Sequence, residues 1–303
     1  MILGIYGSGG LGKGVLELAR EINSEDFPWE KFLFIDDNKP EGLFKNIELW
    51  SFQRAIDTFG PEALEFSVAV GEPRIRKLLF ERIKGHGYSL ATLVDPDVQV
   101  PECTEIKEGA VIYPGAFIGC DVTVSENAVL LPQVNIGHDT FIGRHTVIAG
   151  FANLAGGCTV GEESFIGLSV AMMEQTKVGS ESIVGMGSMV FRDIPNKVIA
   201  MGNPARPMKN NEDHKVFKGS APEAEGTNLE KYQEVFVETL NVTFEELEGL
   251  EYKGVREWDS VGHMGLICAL EAAFDLTLAG EDIIDFSSFE KGKEILMKYD
   301  VEL

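Results

Sequence analysis

The 303-residue chain is short of positive charge: 26 Lys and Arg against 49 Asp and Glu leave a formal net charge of −23. So acidic a surface repels phosphate backbones, which excludes nucleic acid as a partner. The chain also lacks any run of the roughly 18–20 apolar residues that a membrane-spanning helix needs. Its first residues, MILGIYGSGG, have no basic flank and place glycines where a signal peptide would need an apolar stretch, so a cytoplasmic location is expected. Cysteine is scarce. Cys103, Cys120, Cys158 and Cys268 form no CxxC pair, which argues for reduced thiols and against a disulfide framework or a metal site. What remains is 44% hydrophobic and 25% charged, a globular composition long enough for two or three domains.

The acid is unevenly placed. From Pro222 onward there are 20 Asp and Glu against 6 Lys and Arg, a net of −14, so the last quarter reads as a separate module. Before it lie two blocks of different character. In the first, to about residue 97, a short apolar strand Met1–Tyr6 runs into a glycine turn from Gly7 through Ser8, Gly9 and Gly10 to Gly12. Val15, Leu16, Leu18, Ala19 and Ile22 then repeat at helical spacing. A second strand ends at Asp36 and Asp37, and a third at Gly71. A glycine turn between strand and helix lets backbone N–H groups approach a phosphate, and an acid at the next strand's end can bond a ribose or base. The spacing is not quite the dinucleotide fingerprint, and a turn serving chain geometry alone is the alternative.

The second block is a repeat. From Ile106 to Val190 every sixth residue is aliphatic or Met, without a slip. Four places after each stands a small or β-branched residue, such as Ala110, Ala128 or Ser164. A period of six fits neither an α-helix nor an alternating strand; it predicts a parallel β-helix in which three hexads close a triangular coil. The pattern does not give its handedness. In the third block a polar linker is expected over 209–228, followed by helical patterns at Leu229–Leu240, Val261–Phe274 and Phe289–Tyr299.

Together the first two blocks resemble the family of sialic acid O-acetyltransferases and bacillosamine-type amino-sugar N-acetyltransferases. The resemblance rests on Ile5–Gly10, Phe34–Asp37, Ala69–Gly71 with Arg74, Leu93–Pro96, Ile136–Asp139 and Gly202–Ala205. It implies a small Rossmann-like α/β domain over 1–97 and a left-handed β-helix over 98–208. It further implies a homotrimer with active sites between subunits. Gly7, Ser8, Gly9, Gly10, Asp36, Asp37, Gly71 and Arg74 would hold a nucleotide-linked amino sugar. The donor arm would lie along Leu168, Gly185, Met186 and Arg206. The third block resembles acyl carrier proteins through Trp258-Asp259-Ser260-Val261 and the following Leu266–Phe274. It implies a four-helix carrier domain over 229–303, with 4'-phosphopantetheine on Ser260. Glu271, Asp275 and Asp259 would give it the acidic surface that meets basic enzyme patches. A phosphopantetheinyl transferase and an acyl-loading enzyme would be its partners.

His138 is the candidate base. It stands two places after Ile136, on the outer wall, and Asp139 or Glu126 could fix its tautomer. A surface histidine is the plain alternative. His145, at a corner seven residues on, is expected at the surface, and His263 is expected merely to line the carrier helix. For Ser260 the alternative is a helix N-cap. Family members usually carry a second histidine nine places after the first, associated with the donor thioester. Here Val147 stands there, which implies a different donor subsite or a weaker enzyme. Three functions follow: N-acyl transfer from the fused carrier to an amino sugar; the same transferase using free acyl-CoA or acylating a hydroxyl; and a trimeric scaffold presenting carrier domains.

Overall fold

The computed structural model describes residues 1–26, 28–212, 215–216, 228–247, 249–274, 276–299 and 301. They form two compact units, Met1–Ser220 and Ala221–Leu303. Most of the expected linker, together with His214 and Asp275, lies outside the described residues. Where that linker was to begin, the chain is still strand. Arg206–Asn210 pairs antiparallel with Val198–Met201, and Asn211 Nδ2 donates to the Glu181 carbonyl at 2.8 Å.

The first unit opens with a five-stranded sheet of order β3-β4-β2-β1-β5: β1 Ile2–Tyr6, β2 Lys31–Ile35, β3 Gly42–Phe44, β4 Ile47–Trp50 and β5 Leu64–Val68. All pairs are parallel except the β3–β4 hairpin. Helix α1 (Gly10–Asp26) buries Val15, Leu16, Leu18 and Ala19, the helical stripe seen in the sequence. Helices α2 (Phe52–Thr58) and α3 (Pro73–Gly85) follow. Because β1 has β2 on one side and β5 on the other, the carboxyl ends of these strands form a topological switch point, where open α/β sheets hold ligands.

The hexads then build a parallel β-helix of fifteen two-residue strands, from Glu105–Ile106 to Met189–Val190. Pairing joins residues 18 apart, as Thr123 to Phe141 and Asn135 to Asn153, so one coil takes three hexads and three sheets line the prism. The aliphatic series from Ile112 to Val190 and the small series from Ala110 share one buried core, each filling the narrow interior once per side. A third series of period six is purely conformational. Gly109, Gly115, Asp121, Asn127, Gln133, Asp139, His145, Phe151, Gly157, Glu163, Ser169, Gln175, Glu181 and Gly187 all have φ between 52° and 75°. Each corner spends one residue in the left-handed region.

One outer face of the β-helix is covered from within the unit. Val111, Val129 and Val147 are about 1% exposed and share a core with Leu3, Ile5, Val15 and Leu16 of the α/β domain. Helix α3 lies along the corner column 127, 145, 163. Arg76 bonds Asn127, Phe80 packs edge-on to His145 at 5.1 Å, and Lys77 pairs with Glu163 at 2.7 Å.

The second unit holds α4 (Asn228–Leu240), α5 (Ser260–Phe274), α6 (Gly280–Asp285) and α7 (Phe289–Met297) around one apolar core. Among the described residues no helix is long and apolar enough to cross a membrane.

Candidate active site

At the carboxyl ends of β1 and β2 the structure brings the glycine turn and the first acid together. Ser8 donates to Asp36 Oδ2 through Oγ at 2.5 Å and through its backbone at 3.2 Å, and Lys39 Nζ donates to Ser8 Oγ at 2.8 Å. The glycines divide by role. Gly7 has φ +119°, and a Cβ on Gly12 would lie 2.0 Å from the Gly7 carbonyl, so both are demanded by the fold. Cβ positions on Gly9 and Gly10 face open space, at the start of a helix whose N–H groups suit a phosphate. Lys13 and Lys39 flank the turn, both over the Phe44 ring.

Asp37, expected to share this role, turns away. Its Oδ2 accepts from Tyr6 Oη at 2.5 Å and Arg82 at 2.6 Å, and its Oδ1 accepts from Phe52 N at 2.8 Å. Burial pushes its carboxyl up, but the bonds from Tyr6, Phe52 and Arg82 outweigh this and hold it below the usual carboxylate range. Arg74 is exposed on the first turn of α3, after Gly71. The arginine that sequence reasoning missed is Arg76, which is fully buried. All five of its N–H groups have acceptors: Asn127 O twice and Asn127 Oδ1, Val68 O and Val70 O, at 2.6–3.0 Å. Burial without a carboxylate lowers its pKa to about 9. It went unseen because its partners are backbone carbonyls and the side chain of Asn127, 51 residues away.

His145 was expected at the surface and is 2% exposed. Its ring lies between Asn127, whose Nδ2 is 3.0 Å from Nδ1, and Phe80, because α3 covers this corner. Burial, with Arg144, Arg76 and Lys77 nearby, lowers its pKa to about 3. His145 therefore stays neutral and structural.

His138 is different. Its side chain is 71% exposed, and Nδ1 is 2.6 Å from Asp139 Oδ2. Asp139 is one of the left-handed corner residues, with φ 56°. Its carboxylate fixes Nδ1 as the protonated nitrogen and leaves the Nε2 lone pair outward. Glu126, the other candidate, instead pairs with Arg144 at 3.6 Å. Glycine floors the ring, since a Cβ on Gly156 would lie 2.6 Å from His138 Nε2, and glycine also backs its main chain, where a Cβ on Gly119 would lie 2.7 Å from the His138 backbone nitrogen. One coil earlier, where the Cys120 carbonyl accepts from Asp139 N at 3.0 Å, a cavity of about 410 Å³ opens among Asp97, Gln99, Phe117, Gly119 and Cys120.

The expected donor residues share another corner. Leu168 and Met186 are one coil apart, linked by Gly187 N to the Leu168 carbonyl at 2.8 Å, and are 49% and 76% exposed. Gly185 precedes Met186, and Arg206 is exposed with Nη1 on the Ala205 carbonyl at 3.0 Å. The sheet of Asn135–Ile136, Asn153–Leu154 and Ala171–Met172 separates this corner from that of His138. Val147 belongs to neither corner: it is buried in the core that this face of the β-helix shares with the α/β domain.

In the second unit Ser260 is exposed as the first residue of α5. It is not the cap. Asp259 Oδ1 accepts from Gly262 N at 2.9 Å and takes that role. His263, expected only to line the helix, accepts from Trp258 Nε1 at 3.1 Å and donates through Nε2 to the Ile283 carbonyl at 2.9 Å.

Residues 3–83 match the family described as the PglD N-terminal domain. No curated protein matches the chain by sequence. Among solved structures, the acetyltransferase domain of PglB from Neisseria gonorrhoeae, in complex with acetyl coenzyme A, is 29% identical. That match covers 68% of this chain and 98% of that one, with a TM-score of 0.64. A histidine-to-asparagine variant of perosamine N-acetyltransferase from Caulobacter crescentus, in complex with CoA and GDP-perosamine, is 26% identical over 69% of this chain and 98% of that one (TM-score 0.64). WeeI from Acinetobacter baumannii, at 23% identity over 69% and 100% with a TM-score of 0.63, shares the fold. The chain is thus similar, over about two thirds of its length, to nucleotide-sugar N-acetyltransferases.

Proposed function

We propose that this chain is an acyltransferase that moves an acyl group from a pantetheine thioester to the amine of a nucleotide-linked amino sugar. The observation that carries this is the exposed His138–Asp139 pair, 2.6 Å apart on a glycine floor, on a β-helix joined to an α/β domain whose strand ends carry a phosphate-ready turn. The similar proteins' complexes with acetyl coenzyme A and with GDP-perosamine support both halves of the substrate pair.

In the proposed reaction His138 Nε2 takes the proton as the amine attacks the thioester carbonyl, and Asp139 holds the imidazole and steadies the imidazolium. A backbone N–H stabilises the oxyanion. The tetrahedral intermediate expels the thiolate, which recovers a proton from His138. The turn from Gly7 to Gly10 and Lys39 serve the nucleotide phosphates, and Asp36 the nucleoside. His138 and Leu168–Met186 stand at opposite edges of one sheet, whose outer face exposes Phe117 and Met189 at 62% and 36%. A homotrimer supports the reaction by letting one copy's His138 corner meet another's donor corner.

The second unit we read as a fused carrier, with phosphopantetheine on Ser260. An exposed serine at a helix N-terminus suits a phosphodiester, and the tether would raise the local donor concentration to the millimolar range. Free acetyl-CoA is the second reading, favoured by the ligand of the Neisseria domain.

The test is acetyl transfer to GDP-perosamine and to UDP-linked 4-amino sugars. His138→Ala should lower kcat by about 10²–10⁴; unchanged transfer removes the mechanism. Ser260→Ala should abolish carrier-dependent turnover while sparing any turnover with free acetyl-CoA.

A further inference from the structure

The second unit's interior is filled by rings. Phe236 lies at its centre, 4.9 Å from Tyr232, 5.0 Å from Phe289, 5.4 Å from Trp258 and 6.2 Å from Phe286 by ring centroids. Trp258, Tyr232, Phe236 and Phe286 are each under 2% exposed. The packing admits no extra methyl group beside them: a Cβ on Gly292 would lie 2.0 Å from Tyr232 Oη and 2.2 Å from Phe286 Cζ.

The gap between α5 and α6 is bolted as well. Trp258 Nε1 can only donate and the Ile283 carbonyl can only accept, so the His263 ring between them, at 3.1 Å and 2.9 Å, is held as its Nε2–H tautomer. The bolt starts two residues before Ser260 and ends on α6. A chain threading from Ser260 into the bundle would have to break two partly buried hydrogen bonds and displace buried rings packed at solid density.

We propose that the second unit gives an acyl chain no interior shelter, which suits it to a short acyl group, of acetyl to butyryl size, rather than a fatty chain. This rests on Ser260 being the phosphopantetheine site, and it favours a short transferred group. A longer chain would keep its methylenes in water, where each is unfavourable.

The test uses the full-length protein, loaded by a phosphopantetheinyl transferase from acetyl-, butyryl- or octanoyl-CoA, with loading read by intact mass. Hydroxylamine should then cleave all three thioesters at rates within about twofold of one another, since none is protected by burial. Retention on a hydrophobic column should lengthen with the acyl chain. An octanoyl thioester cleaved about tenfold or more slowly than the acetyl one, with unchanged retention, would overturn the proposal. No mass increment on the wild type would remove the carrier assignment itself, and the proposal with it. An increment that persists in Ser260→Ala would relocate the arm and also overturn it.

Discussion

His145 should make the first unit sensitive to mild acid. The imidazole is buried against Phe80 and Asn127, and burial with three nearby cations lowers its pKa to about 3. The unfolded chain's histidine titrates near 6.5, so below that pH the unfolded state binds a proton that the folded state refuses. Stability is therefore flat above about pH 6.5 and falls toward pH 3, by about 1.4 kcal/mol per pH unit. At pH 5 the loss from this one group is about 2 kcal/mol relative to pH 7. His145→Asn removes the titration. It keeps a polar atom for Asn127 and suits a backbone at φ 60°, where Asn is tolerated better than most residues. Urea unfolding followed through Trp29 and Trp50, with Trp258→Phe silencing the second unit, measures both proteins at pH 7 and pH 5. The wild type should lose about 2 kcal/mol more than the variant between the two. Equal losses would refute the assignment, as would a His145 ring resonance that titrates between pH 5 and 8.

Arg76→Lys should cost the first unit about 3 kcal/mol or more, because an ammonium cannot serve the four carbonyl-type atoms that the guanidinium satisfies, whereas Arg74→Ala should stay within about 0.5 kcal/mol; urea midpoints separate them. Asp139→Asn should lower kcat by about 10²-fold or more with little change in KM, while Glu126→Gln should leave kcat nearly unchanged, as steady-state kinetics would read. Gly156→Ala places a methyl where the His138 ring lies, so it should cost about tenfold or more in kcat with an unchanged unfolding midpoint.

The interior of the β-helix was legible because it demands the same two residue types every six positions, at Ile106 as at Val190. The corners were not legible. Their left-handed residue is Gly at 109, 115, 157 and 187 but Asp, Asn, Gln, His, Phe, Glu or Ser elsewhere, so a shared conformation leaves no shared letter. The same blindness decided the histidines. His138 and His145 both stand among corner residues, and the sequence places both outside the interior. Only packing separates them: α3 covers the column of Asn127 and His145, while the column of Asp139 stays open. Arg74 drew attention through the family resemblance, and Arg76 did not. A cation bonded to backbone carbonyls has no partner that spacing can reveal, and Asn127, which supplies three of those bonds, lies 51 residues away. Asp36 and Asp37 differ for a related reason. Alternation at the end of β2 sends neighbours to opposite sides, so the first acid faces Ser8 and the second faces Tyr6 and Arg82. In the second unit the Asp-Ser pair was visible, but which residue caps α5 depends on the Trp258 turn folding onto the helix. That turn places Glu257 O 1.8 Å from where a Cβ on Gly262 would lie, and so brings the Asp259 carboxylate to the helix N–H groups and leaves Ser260 facing water.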